Sequence, residues 1–324
     1  MKTAFVKGEY PEGQTGGNVI ARRLEDYVRM LAAPEELTVL VRRPGQVPLS
    51  IDRQLRKGRF DLVVYNTSIH GIFLKTGKTV TFFHNVEYSY AKQAGERKIK
   101  LLYRYLCEFL HARRSDAVIT LNERDSEGIR KLYGRKADLI WPTSFRDRFI
   151  PDYAYNDDRY LLFVGSNFFG NTEGLDWFIR NCLDRIGLPL KVVGNGMDQL
   201  QGKYEGKNVE FIGYAESLDE FYYQATAVVL PIISGSGMKT KTCEAMMFGK
   251  TLIGTDDAFE GYEGVDEAGC IRCSSADDFV EAINHFEGGK LNGKVRELFL
   301  EKYEESTVRV KADAFFRQLL GDKS

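Results

Sequence analysis

The sequence predicts an α/β protein built as two consecutive units, each a parallel sheet covered by helices on both faces. Three observations carry this expectation. Near-continuous apolar runs rich in Val, Ile, Leu and Phe alternate with helix-period segments along most of the chain. The alternation breaks once, at 142–159 (PTSFRDRFIPDYAYNDDR), and then restarts. The length of 324 residues suits two domains of about 150 each.

The first half contributes strands at 3–7 (TAFVK), 37–42 (LTVLVR), 60–65 (FDLVVY), 78–84 (KTVTFFH), 116–121 (DAVITL) and 137–141 (ADLIW). Between them, Ile20, Leu24, Tyr27 and Leu31 recur at helical spacing over 18–31. Ile99, Leu102, Leu106, Phe109 and Leu110 do the same over 97–114, and a charged helix is expected over 123–133. Residues 142–159 hold two prolines and little periodicity, so they read as the linker, with domains at 1–150 and 151–324. The second half gives strands at 160–165, 189–194, 208–212, 226–231 and 250–254. Helices are expected at 172–186, 216–224, 239–248 and 303–320. Two such units place a cleft between the carboxyl ends of two sheets, where open α/β sheets bind ligands.

Composition narrows the class. Apolar residues make up 43%, enough for two cores. No run of about 18 apolar residues offers a membrane span, and the N-terminal apolar run is too short for a signal peptide. Five scattered cysteines, an odd number, fit a reducing, cytoplasmic setting. Cys270 and Cys273 form a lone CxxC that reads as a short strand, with no second pair to complete a metal site. Residues 1–150 hold 27 Lys/Arg against 17 Asp/Glu, and residues 151–324 hold 18 against 29. Such asymmetry fits different partners for the two halves, or their mutual attraction. With a pI near 6.5 and no reading motif, nucleic acid is not an expected partner.

The chemistry concentrates at 231–249 (PIISGSGMKTKTCEAMMFG). A buried strand is followed by a loop of small residues and then a helix. A helix N-terminus offers unpaired N–H groups and a partial positive charge, and glycine lets a phosphate approach them. Lys239 and Lys241 fall in the first turn, where acidic residues are favoured unless an anion is bound. Glu244, three residues after Lys241, shares its helix face and could accept from two ribose hydroxyls. The plainer reading is a βα turn that is glycine-rich for packing alone.

At this segment the chain resembles the family 4 retaining glycosyltransferases and their relatives of the GT-B fold. The resemblance rests on Gly235-Ser-Gly-Met-Lys-Thr-Lys, Glu244-Ala-Met and Gly249-Lys-Thr-Leu-Ile-Gly-Thr. It extends to Phe163-Val-Gly165, Val193-Gly-Asn-Gly196, Val209-Glu-Phe-Ile-Gly213-Tyr214, Gly16-Gly17-Asn18 and Phe83-His84-Asn85. It therefore covers nearly the whole chain. It implies two Rossmann-like domains with parallel sheets facing across a cleft, and a C-terminal helix that crosses back to the first domain. It also implies transfer of a sugar from a nucleotide diphosphate sugar to a glycan or lipid-linked acceptor, with retention and without a metal, in polysaccharide biosynthesis. A UDP-sugar is favoured over a GDP-sugar; the nucleotide-sugar is a substrate and no cofactor is implied.

Carried over residue by residue, the resemblance implies that Glu244 binds the ribose hydroxyls. Ser236, Gly237, Met238 and Lys239 hold the diphosphate through their backbone, with the ammonium of Lys239 or Lys241. Gly165 and Ser166 line the donor, Gly213 and Tyr214 border the base, and Gly16 and Gly17 let the first loop approach. His84 touches the donor sugar as the catalytic residue, and Asn18, Asn85 and Glu87 lie on the acceptor side. The chain departs from the family twice. Position 236 is Ser where the family commonly has Glu, and 166–174 (SNFFGNTEG) lacks the usual Arg and Lys. These losses shift phosphate binding onto Lys239 and Lys241. They also suit an alternative: an inactive homologue acting as partner of another glycosyltransferase. A nucleotide-sugar epimerase is harder to staff with four histidines.

Residues 92–114 carry seven basic and two acidic residues and an apolar stripe with Tyr103, Tyr105 and Phe109. Two readings stand. The stripe packs on the core and leaves a basic solvated face, or the helix contacts the inner face of the membrane.

Overall fold

The computed structural model describes residues 1–9, 16–43, 48–66, 75–234 and 237–321, with the side chains of 16–18 and 48 left aside. The chain divides into two units, Met1–Pro142 with Ala312–Ser324, and Thr143–Lys311. Each holds one six-stranded parallel sheet, so the doubly layered α/β class expected from the alternation is the class observed.

The first unit contains strands β1 (Thr3–Gly8), β2 (Leu37–Arg42), β3 (Leu62–Tyr65), β4 (Lys78–Phe83), β5 (Ala117–Thr120) and β6 (Leu139–Ile140). Their order is β2-β1-β3-β4-β5-β6. The helices are α1 (Gly16–Leu31), α2 (Pro48–Gly58), α3 (Glu87–Gln93), α4 (Lys98–Arg114) and α5 (Glu123–Tyr133). Ile51 and Leu55 of α2 pack against Ala4, Val6, Val63 and Tyr65 of the sheet. Ala112 of α4 and Ile129 of α5 close over Phe83 and Val118. Sequence order reverses between β1 and β3, so their carboxyl ends flank this unit's crevice.

The second unit contains β7 (Leu161–Val164), β8 (Leu190–Val193), β9 (Val209–Ile212), β10 (Ala227–Leu230), β11 (Leu252–Gly254) and β12 (Ile271–Arg272). Their order is β12-β11-β10-β7-β8-β9, which puts the reversal between β7 and β10. The helices are α6 (Phe169–Asn181), α7 (Asp219–Gln224), α8 (Thr240–Met247), α9 (Ala276–Asn284), α10 (Gly293–Lys302) and α11 (Glu305–Leu320). Cys270 and Cys273 flank β12 as buried free thiols, and burial pushes both up to about 12. They are packing groups, as the strand reading expects.

Residues 143–159 are tied to the second unit. Phe145 N donates to Tyr303 O at 3.1 Å, Glu305 N donates to Phe145 O at 3.0 Å, and Tyr153 stacks on Tyr223 with ring centroids 3.8 Å apart. From Ala312 onward α11 belongs to the first unit, where Tyr27 OH donates to Asp313 at 2.8 Å and Tyr27 packs on Phe316.

Helix α4 departs from the core-packing reading of its stripe. Its inner face is Cys107, Glu108, His111 and Ala112, all buried, while Ile99, Leu102, Leu106 and Phe109 point to solvent. Polar pegs explain the orientation. Glu108 accepts from Glu87 N at 2.8 Å, Tyr88 N at 3.0 Å and Tyr133 OH at 2.7 Å. His111 Nδ1 meets Thr81 Oγ1 at 2.7 Å. A buried carboxylate is tolerated only when so satisfied, and these bonds fix which face turns inward. Among the described residues no helix is long and apolar enough to cross a membrane.

One close approach seats α6 against the loop after β10. A Cβ on Gly174 of α6 would lie 1.7 Å from Pro231 O, just after β10. Glycine lets α6 seat directly on that loop. Gly174→Ala is therefore expected to cost about 1–3 kcal/mol through overpacking. That is a drop of several degrees in melting temperature. A variant that melts with the wild type would show that the loop yields freely.

Candidate functional site

The reversal between β7 and β10 brings two loops together in the second unit. One follows β7 (Gly165, Ser166, Asn167, Phe168) and leads into α6. The other follows β10 and leads into α8.

Lys241, in the first turn of α8, sits between them. Its Nζ donates to Asn171 Oδ1 at 2.6 Å and lies 4.5 Å from the centroid of the Phe163 ring. Asn171 is fixed in turn, its Nδ2 donating to Ser166 O at 2.9 Å. A Cβ on Gly165 would stand 2.9 Å from Asn171 Nδ2 and 3.0 Å from Lys241 Nζ, so a side chain here would crowd both groups. Lys241 makes no ion pair among the described residues. Burial, with neighbouring Lys239 as the lesser cause, pushes its pKa down to about 7. An enclosed cation with no counter-charge is a prepared place for an anion.

Lys239 is differently employed, which separates the two lysines that the sequence offered together. Its Nζ donates to Gly237 O at 2.8 Å and pairs with Glu260 at 3.7 Å. Its backbone caps α8, and its side chain makes no capping hydrogen bond to that helix. Gly237 takes the left-handed conformation, φ +71°, that turns the loop into the helix. Met238 is buried. Ser236 lies outside the described residues. Ser234 Oγ donates to Glu173 Oε2 at 2.8 Å, tying this loop to α6.

Glu244 lies one turn along α8. Tyr222 OH donates to its Oε2 at 3.2 Å and Arg148 donates to its Oε1 at 3.1 Å; Arg148 also reaches Asp219 at 3.2 Å. Burial pushes the Glu244 carboxyl up, against the pull of Arg148 and Tyr222. Two of its roughly four acceptor positions are filled, which leaves room for hydroxyl donors. Arg148, Tyr222 and Asn171 were not singled out from the sequence. Each acts through a partner far along the chain, and no local pattern marks it.

Gly213 and Tyr214 follow β9, on the far side of β8 from β7. A Cβ on Gly213 would lie 2.8 Å from Asp198 Oδ1, and Tyr214 is exposed. The structure thus brings Gly165, Ser166, Lys241 and Glu244 to one end of the sheet and puts Gly213 and Tyr214 at the edge of that end.

In the first unit, His84 follows β4 and Asn66 follows β3. His84 Nε2 meets the Oδ1 of buried Asn66 at 2.6 Å. An amide oxygen only accepts, so Nε2 carries the proton and Nδ1 is left as an acceptor. That Nδ1 is shielded from solvent and has no hydrogen-bond partner among the described residues. Burial pushes the ring down to about 4, so it is neutral at physiological pH. Gly16, Gly17 and Asn18 form the first turn of α1. Glu87 is committed to an ion pair with Arg104 at 2.9 Å and, through burial, its carboxyl is pushed up. Asn85 lies beside it and hydrogen-bonds its carboxylate. Among the described residues no three His, Cys, Asp or Glu side chains cluster to hold a metal.

The family model described as Glycosyl transferases group 1 matches residues 158–286, which hold β7 to β12, Lys241 and Glu244. No curated protein matches by sequence. Among solved structures, sucrose-phosphate synthase from Thermosynechococcus elongatus is similar at TM-score 0.75 and 14% identity, over 99% of this chain and 100% of that one. WaaG, a glycosyltransferase involved in lipopolysaccharide biosynthesis, is similar at TM-score 0.69 and 16% identity, over 98% and 100%. Anabaena HepE in complex with UDP is similar at TM-score 0.69 and 12% identity, over 98% and 100%. The fold is that of the GT-B glycosyltransferases.

Proposed function

We propose that this chain, whose second unit carries a glycosyl transferases group 1 domain, moves a sugar from a nucleotide diphosphate sugar to a glycan or lipid-linked acceptor. The observation that carries the reading is the enclosed ammonium of Lys241, which makes no ion pair among the described residues and stands three residues before the carboxylate of Glu244 at the sheet's reversal point.

In this reading the diphosphate lies against the first turn of α8. Breaking the bond between the anomeric carbon and the phosphate oxygen leaves charge on the diphosphate. The first N–H groups of α8 and the Lys241 ammonium stabilise that charge without reorganising. They stand where a divalent metal would otherwise serve. Glu244, held by Tyr222 and Arg148, accepts from the ribose hydroxyls. Tyr214 offers an exposed ring for the base. UDP is the favoured nucleotide, in keeping with its presence in one of the similar structures. His84 serves the sugar-transfer step with its unpartnered Nδ1, and configuration at the anomeric carbon is retained. The setting is the cytoplasm.

The test uses the full chain with UDP- and GDP-hexoses and a glycan or lipid extract as acceptor. Expected are release of nucleoside diphosphate, labelled product with the donor's anomeric configuration by NMR, and activity that survives EDTA. His84→Ala lowers turnover more than donor affinity. Release of no nucleotide from any donor would overturn the proposal.

A further inference from the structure

We propose that the outward face of α4 docks on an anionic lipid surface. At 100° per residue, Ile99, Leu102, Tyr103, Leu106 and Phe109 fall within an arc of roughly 120°. This is the face that points away from the core. Ile99 is 72% exposed, Leu102 53% and Leu106 49%. A helix on a soluble surface ordinarily turns its apolar stripe inward; here Glu108 and His111 take the inner face and the stripe is left in water. An apolar row of this kind, rather than scattered single residues, marks a contact surface.

Charge chooses the occupant. Lys98 and Lys100 stand on the two edges of the stripe, Arg97 precedes it, and Arg42 of β2 reaches Tyr103 OH at 3.4 Å. None of Arg97, Lys98 and Lys100 makes an ion pair among the described residues. The two acids of the region add little outward charge: Glu96 is held by Arg104 at 2.8 Å, and Glu108 is buried. A second copy would set these cations against their own kind. An anionic bilayer takes the apolar row into its headgroup boundary and the lysines onto its phosphates, with α4 lying in the plane.

The test is co-sedimentation of the full chain with vesicles of phosphatidylcholine alone or mixed with phosphatidylglycerol. Wild type is expected to bind the mixed vesicles and to be weakened by salt. Lys98→Glu with Lys100→Glu should weaken that binding by roughly thirtyfold or more, at about a fivefold contribution per cation. Leu102→Glu with Leu106→Glu should abolish it. Both double variants alter exposed side chains, so each should keep the wild-type melting temperature and the same response to UDP as wild type, whatever that response is. Mixed vesicles that bind neither protein, or bind the leucine variant as well as wild type, would overturn the proposal. So would a dimer in light scattering that the leucine variant dissolves while vesicles stay unbound.

Discussion

Lys241→Met should weaken binding of a nucleoside diphosphate by roughly a hundredfold, the scale of a charged hydrogen bond lost from an enclosed site. The same variant should melt at or above the wild type when no ligand is present. The reason is the sign of the pKa shift. In the folded, empty protein Lys241 titrates near 7 because burial disfavours its charge, and the unfolded side chain titrates near 10.5. The folded state therefore resists a proton that the unfolded state holds. Stability tied to this group is present above pH 10.5 and is lost as pH falls toward 7. Methionine removes the cost along with the function. A bound diphosphate reverses the balance, since it restores the counter-charge. Binding at pH 8, where the diphosphate is already fully ionised, should thus take up close to one proton. Calorimetry in two buffers of different ionisation enthalpy reads that uptake. Uptake that persists in Lys241→Met would place the proton on another group.

Glu244→Ala should erase discrimination between UDP and its 2′-deoxy analogue. Wild type is expected to prefer the ribonucleotide by about tenfold or more, since a hydroxyl donating to a largely buried carboxylate contributes on the order of 1.5–3 kcal/mol. The substitution also deprives Arg148 and Tyr222 of their shared acceptor, so a fall in overall affinity alone would be ambiguous. Discrimination is not. If the alanine variant still favours UDP over the deoxy form, the ribose is held elsewhere. Arg148→Lys offers a companion measurement: it keeps a cation but not the fork that reaches both Asp219 and Glu244. Intermediate discrimination in that variant would identify Arg148 as the group that orients Glu244.

Much of the fold was legible because the strands are buried on both faces. Runs such as LLFV and AVVL are continuous, and β7 and β10 fall within a residue of where their composition puts them. Helices were harder. The capping box of Ser275 and Asp278 at α9 is written in the sequence, yet short helices with few apolar anchors are easily read as loops. The orientation of α4 was not legible at all. Its periodicity says that one face is apolar, but which face turns inward depends on Tyr133 and the α3 backbone, each twenty or more residues from Glu108, the group they hold.

The site shows the same division. Lys241, Glu244 and Gly165 lie in local patterns and could be named. What separates Lys241 from Lys239 is tertiary: Asn171 comes from α6, and Glu260 from the turn after β11. A strand–loop–helix pattern reveals that a phosphate could be bound. It does not reveal which of two neighbouring cations has no carboxylate against it among the described residues.

The central claim, a nucleotide diphosphate held at the β7–β10 reversal, is tested most directly by thermal shift of the intact protein. The panel is UDP, GDP, ADP, CMP and dTDP with their common sugar conjugates. Ligand at a hundred times its dissociation constant adds about 2.7 kcal/mol, and the melting temperature should rise by several degrees with one base, UDP foremost. A well-folded sample that shifts with none of them would contradict the claim.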